Sequence, residues 1–175
     1  MDTSSRVIPL FLATVVFLVP AAAGASSNDL SRTTAATVER IIDGDTLVVR
    51  GGARVRLVQI DAPESGEECY AAASTRELAR LSPPGSHVVL EADPQLDPMD
   101  RYGRLLRYIH AGGRNVNLEL VRRGAATPWF YDGDRGRYAA QLLAATTSAR
   151  SARRGMWRAC RVSWSPDGPV TTQPR

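Results

Sequence analysis

Lysine is absent from this 175-residue chain, so all 22 of its basic side chains are arginine. Phosphate can therefore be gripped only by planar, bidentate guanidinium groups, never by an ammonium point charge. Arginine-rich genome composition accounts for most of that count. Against 18 acidic residues the net charge is +4, with a sequence pI of about 9.6. This favours a polyanionic partner only weakly. Cysteine occurs twice, as Cys69 and Cys160, with no CxxC spacing and no neighbouring histidine, which excludes the usual zinc arrangements. Histidine also occurs twice, and His87 and His110 stand apart on strand-like runs, so both read as structural. No internal repeat is present, and one apolar run stands out, Val7 to Pro20. It falls short of the roughly 20 residues that a membrane-spanning helix needs.

That run follows Arg6 and leads into Ala21-Ala22-Ala23 and Ala23-Gly24-Ala25, the layout of a secretory signal with small-residue cleavage sites. Residues 1–25 are read as a signal peptide and the protein as secreted. An uncleaved segment holding the chain on a membrane is the alternative. No cysteine lies near the cleavage sites to carry a lipid anchor. Export places Cys69 and Cys160 where disulfides persist, and their even count favours one bond between them; two separate reduced thiols are the rival. Residues 26–37 read as a flexible linker, 38–160 as one domain and 161–175 as a flexible tail.

Within the domain, Val38 to Ile42, Thr46 to Arg50 and Ala53 to Ile60 read as a three-strand meander, turning at Asp43-Gly44-Asp45 and Gly51-Gly52. Ala71 to Leu81 reads as a helix stopped by Pro83-Pro84. His87 to Ala92 and Leu105 to His110 supply two further strands. Asn115 caps a helix running to Arg123, and a last helix spans about Gly136 to Arg154. Five strands with about three helices give an α+β, β-rich chain: a five-stranded OB-type barrel packed on helices.

Three segments carry the chemistry: Ile42-Asp43-Gly44-Asp45-Thr46, Val55 to Glu64, and Asp100-Arg101-Tyr102-Gly103-Arg104. Their order, content and spacing resemble the staphylococcal nuclease (thermonuclease) family over roughly Val38 to Trp157. Val116 to Gly124 and Gly155-Met156-Trp157 add to the likeness. The resemblance implies a calcium-dependent endonuclease that hydrolyses DNA and RNA by in-line attack of a metal-associated water. It implies Asp45 and Asp61 as metal carboxylates and the Ala62 carbonyl as a further ligand. Calcium suits such a set, since it takes oxygen ligands at about 2.3–2.6 Å. The family commonly has threonine where Ala62 stands; a carbonyl ligand survives that change.

By the same resemblance Glu64 positions or deprotonates the attacking water, which requires hydrogen-bond reach. Arg56 and Arg104 match the arginines that hold the scissile phosphate and stabilise its growing charge. Arg101 and Tyr102 match a neighbouring phosphate contact, Tyr131 is the candidate for base stacking with Phe130 as rival, and Asp100 supports the metal site from behind its ligands. Taken singly, Asp45 is an ordinary turn residue, Glu64 a surface glutamate and Arg56 a solvent-facing strand residue. The alternative for the whole is a catalytically silent OB-type nucleic-acid-binding module, which would be expected to have lost at least one of the five residues Asp45, Arg56, Asp61, Glu64 and Arg104. No stable protein partner is implied, and a monomer is expected.

Overall fold

The computed structural model describes Met1, residues 33–64, Gly66 and residues 68–175. Residues 2–32, which hold nearly all of the expected signal peptide and part of the expected linker, lie outside the described residues. Strand β1 (Thr33–Ile41) is long enough to serve two neighbours. Its first half pairs antiparallel with β5 (His87–Glu91), from Thr33 opposite Glu91 to Thr37 opposite His87. Its second half pairs with β2 (Thr46–Val49), after a register shift between Val38 and Arg40. An irregularity of this kind bends a strand and lets a small sheet curl shut. β2 pairs with β3 (Arg54–Leu57), and β3 pairs in parallel with β6 (Leu105–Ala111), which returns to β5. The circuit β1-β2-β3-β6-β5 is a closed five-stranded barrel, as the sequence leads one to expect. Alternate residues Val38, Leu47, Val49, Val55, Leu57, Val88, Leu90 and Ile109 form its core.

Three helices cover the barrel: α1 (Ala71–Leu81), α2 (Val116–Arg122) and α3 (Ala139–Ser151). Asn115 caps α2 by accepting from the Leu118 N–H at 3.0 Å. A single turn, α4 (Met156–Ala159), follows α3, so the last helix is shorter than the expected 136–154.

Other differences have local causes. Residues 33–37, expected within the linker, form the first half of β1, which gains its backbone partners from β5 rather than from any apolar pattern. The expected strand over 53–60 breaks into β3 and β4 (Ile60–Asp61) because Gln59 adopts φ +65°. The Gln59 amide secures that turn, donating to the Asp134 carbonyl at 2.7 Å and accepting from the Gly136 N–H at 2.8 Å. The short β7 (Arg114–Asn115) extends the sheet beside β6, and β4 pairs with β8 (Thr127–Pro128). Residues 161–175, expected as a loose tail, contain instead a hairpin of β9 (Cys160–Ser163) and β10 (Thr171–Pro174), with Val170 and Thr172 buried. Cys69 and Cys160 are joined by a disulfide, Cα–Cα 6.0 Å, tying the start of α1 to the start of that hairpin.

His110 takes the structural role expected of it. On the barrel's flank Glu91 is buried, and it accepts from His110 at 2.6 Å, Tyr138 at 3.0 Å and Arg137. Burial alone would raise the Glu91 carboxyl, but these hydrogen bonds outweigh it and hold the group below its ordinary value. A depressed carboxyl stabilises the fold above the unfolded value and loses that contribution as pH falls through the folded one. Thermal melts should therefore show the wild type losing stability more steeply than Glu91→Gln as pH falls below about 4.5. Parallel melting curves in that range would remove Glu91 from the acid response.

Candidate active site

A cleft of about 560 Å³ opens at the end of the barrel where β2 begins and β3 and β4 end. Asp45 arrives there through the β1–β2 turn. The Asp43 carboxylate accepts from the Asp45 N–H at 3.0 Å, and the Ile42 N–H reaches the Thr46 carbonyl at 2.9 Å, which closes the turn tightly. Gly44 allows the turn to lie against the neighbouring elements. A Cβ on it would sit 2.6 Å from the Ala62 Cβ and 2.7 Å from the Ser74 Cβ, so any side chain would push Asp45 away from β4.

Asp45 and Asp61 are both buried, at 6% and 5% exposure, and they meet at Arg56. Arg56 Nε lies 3.0 Å from Asp45 Oδ1, and its Nη2 lies 2.8 Å from Asp61 Oδ1. Its Nη1 donates to the carbonyls of Leu57 and Ile60, at 2.8 and 2.6 Å. Each carboxylate has its other oxygen held by a backbone N–H: Asp45 Oδ2 accepts from Ala62 and Asp61 Oδ2 from Val170, both at 2.9 Å. Burial drives the Asp45 carboxyl up to about 7; Arg56 opposes the rise, while Asp43 and Asp61 add to it. Burial likewise raises Asp61 against the pull of Arg56.

Two buried carboxylates thus share one guanidinium. The local positive charge is insufficient, and a further cation would stabilise the ionised pair. Among the described residues no third aspartate, glutamate, histidine or cysteine joins them in a metal-sized group. The remaining ligands of such a cation would be carbonyl, water and substrate oxygens, a hard donor set that fits calcium.

The other candidates line the same cleft. Glu64 follows Pro63 at its lip with its side chain exposed, while its backbone N–H donates to Glu68 Oε2 at 2.7 Å. Arg104 also reaches the cleft, fixed through Nε to Asp100 Oδ2 at 2.6 Å. Asp100 was expected behind the metal ligands, but its contacts run to Arg104 and Tyr102 instead. The reason is the tight turn it opens: the Asp100 carbonyl accepts from the Gly103 N–H, and its carboxylate folds over the turn's own amides. Tyr102 is exposed, with the Arg101 and Arg104 guanidinium carbons 4.8 and 5.5 Å from its ring centre. Tyr131 is exposed on the far wall, edge-to-face with Trp129 at 5.8 Å, whereas Phe130 is fully buried. An exposed aromatic can stack on a base and a core one cannot, which separates the two rivals.

Residues 54–159 match the family described as staphylococcal nuclease homologue. The chain belongs to the staphylococcal nuclease homologue family. It is 38% identical over 124 residues to an uncharacterized endonuclease of Escherichia coli O157:H7, covering 69% of this chain and 74% of that protein. It is 34% identical over 102 residues to the thermonuclease of Staphylococcus intermedius, covering 54% and 59% respectively. It is 30% identical over 136 residues to endonuclease YhcR of Bacillus subtilis (strain 168), where it spans 69% of this chain but only 11% of that much longer protein. Asp45 precedes the segment matched to the nuclease homologue family, and its place beside Asp61 rests on the geometry above. The sequence places Gly44 and Gln59 inside the motif segments without showing a role for either, and it gives no sign of the Val170 amide. Gly44 carried a usable signal as the glycine of an Asp-Gly-Asp turn, but a backbone N–H carries none.

Proposed function

We propose that this nuclease requires calcium and hydrolyses phosphodiester bonds in both DNA and RNA by in-line attack of water. The observation that carries the reading is the convergence of Asp45 and Asp61 on one buried cationic position. Asp45, Asp61 and the Ala62 carbonyl would hold calcium, which supplies Lewis-acid stabilisation of charge on the phosphate. Glu64, exposed at the lip of the cleft, accepts the proton of the attacking water. Arg56 and Arg104 donate to the non-bridging oxygens, and Asp100 keeps Arg104 aimed. Arg101 and Tyr102 hold the neighbouring phosphate, and Tyr131 stacks on a base. A mechanism using external water needs no 2′-hydroxyl, so both nucleic acids are accessible. We further propose that the protein acts after export, with the disulfide suited to an oxidising compartment.

Purified mature protein should cut DNA and RNA with calcium, lose activity in excess chelator, and cut little with magnesium, which demands stricter octahedral geometry. Undiminished cleavage in chelator would defeat the metal assignment. Calcium-independent binding of nucleic acid without any cleavage would favour the silent binding module.

A further inference from the structure

We infer that the C-terminal hairpin, stapled by the Cys69–Cys160 disulfide, is a positioning element for Asp61 and for the loop that carries Glu64. The family match ends at residue 159, and the hairpin begins at Cys160, so this element lies beyond the matched part of the chain. The inference rests on the reading of Asp61 as a metal carboxylate.

The contacts reach three sides of the cleft. Directly, the Val170 N–H donates to Asp61 Oδ2 at 2.9 Å, in a spot where Val170 is 3% exposed. Val170 stands one residue before β10, so this N–H is not part of the β9–β10 ladder. It fixes one carboxylate oxygen and leaves the other turned toward Arg56. The second route runs through Glu68, whose carboxylate accepts from the Thr172 N–H at 3.0 Å and from the Glu64 N–H at 2.7 Å. One carboxylate thereby bridges the hairpin to the backbone of the proposed base. The third is the aromatic wall. The Phe130 N–H donates to the Pro166 carbonyl and Trp164 Nε1 donates to the Pro128 carbonyl, both at 2.7 Å, which pins the residues flanking Trp129 and leading to Tyr131.

The disulfide lies where it holds all of this. Cys69 exchanges hydrogen bonds with Thr172, its carbonyl accepting from Thr172 Oγ1 at 2.6 Å and its N–H reaching the Thr172 carbonyl at 3.4 Å. Cys160, Val170 and Met156 make a small separate core that Trp157 and Trp164 pack against. Two strands of four residues are marginal alone. The covalent link is what makes their contact with Asp61 persistent. Partners that orient a ligating carboxylate typically change metal affinity or activity by about 10–100-fold when removed.

The test compares Val170→Pro, which deletes the N–H, with Val170→Ala, which trims the side chain but keeps it. The two variants differ in the hydrogen bond and in the φ that proline fixes, and the reduced wild type, which keeps Val170, supplies the comparison without a backbone change. Calcium affinity is measured by calorimetry, and kcat and KM on a defined oligonucleotide. Val170→Pro should bind calcium about tenfold more weakly than Val170→Ala and lose kcat to a similar degree, with KM little changed. Dithiothreitol supplies two electrons and two protons to convert the wild-type disulfide to two thiols. It should produce the same pattern, reversed on reoxidation. Circular dichroism checks that each species is folded, and if Val170→Pro is not, the reduced wild type decides. Equal calcium affinity and kcat across the compared species would overturn the inference while leaving the proposed function intact. A wild type that neither binds calcium nor needs it would overturn both.

Discussion

Replacing Glu64 by glutamine is expected to lower kcat by about 10²–10⁴-fold, the usual range for loss of a general base. KM and calcium affinity should stay near wild type. The expectation follows from where Glu64 sits. Its backbone N–H is engaged by Glu68, which fixes the lip of the cleft, while its side chain is exposed and makes no salt bridge among the described residues. A carboxylate exposed at the lip, a few residues beyond Asp61, can reach a water in the cleft and take its proton. Glutamine keeps the shape and the hydrogen-bonding reach but cannot accept that proton. The hydrogen bonds and ion pairs of Asp45 and Asp61 run to other residues than Glu64, so the buried pair and its arginine are left as they are. Steady-state kinetics on a defined oligonucleotide would separate this from a general loss of fit, since kcat should fall while KM holds. A variant turning over at nearly the wild-type rate would take Glu64 out of the chemistry and leave it a surface residue.

The barrel and most of the residues that line the candidate cleft are legible because both are written in side chains. Alternating apolar residues in β2, β3, β5 and β6 fill one interior. Arg56 and Asp61 are five residues apart, and the break at Gln59 turns β4 so that Asp61 faces back toward Arg56. That break was not legible: the sequence offers a glutamine where a left-handed residue is usually glycine. The remedy lies in long-range bonds to 134 and 136, which no local pattern reports. The first half of β1 and the hairpin were missed for a related reason. Thr33 to Thr37 is small and polar, and residues 161–175 are polar and proline-containing, so neither shows a period. Their strands are made by backbone pairing, and Val170 acts through an N–H that every residue except proline possesses. Asp100 lines the same cleft but bonds to Tyr102 and Arg104; spacing alone does not say which way a turn folds its first side chain.

Arg56→Met should separate stability, metal binding and turnover in opposite directions. In the metal-free protein Arg56 is the shared counter-charge of Asp45 and Asp61, at 3.0 and 2.8 Å, with all three side chains at 10% exposure or less. Deleting one member of such a buried set typically destabilises by about 3–5 kcal/mol, because the partners keep their desolvation without compensation. The metal-free variant should therefore melt well below the wild type. Calcium should restore much of that loss, since a ligand bound by the folded state alone stabilises it in proportion to its affinity. Its affinity should equal or exceed that of the wild type. Methionine is of similar length and carries no charge, so the cation no longer competes with an internal guanidinium for the same two oxygens. Turnover should nevertheless fall by about 10²–10³-fold at saturating calcium, the typical effect of removing one preorganised donor to a charge that grows in the transition state. Melting with and without calcium, calorimetry and steady-state rates give the three readings on one protein. Weaker calcium binding would mean that Arg56 shapes the site rather than competing for it. Near-normal turnover at saturating calcium would leave the arginine a structural counter-ion and place the stabilisation of the phosphate on Arg104 alone.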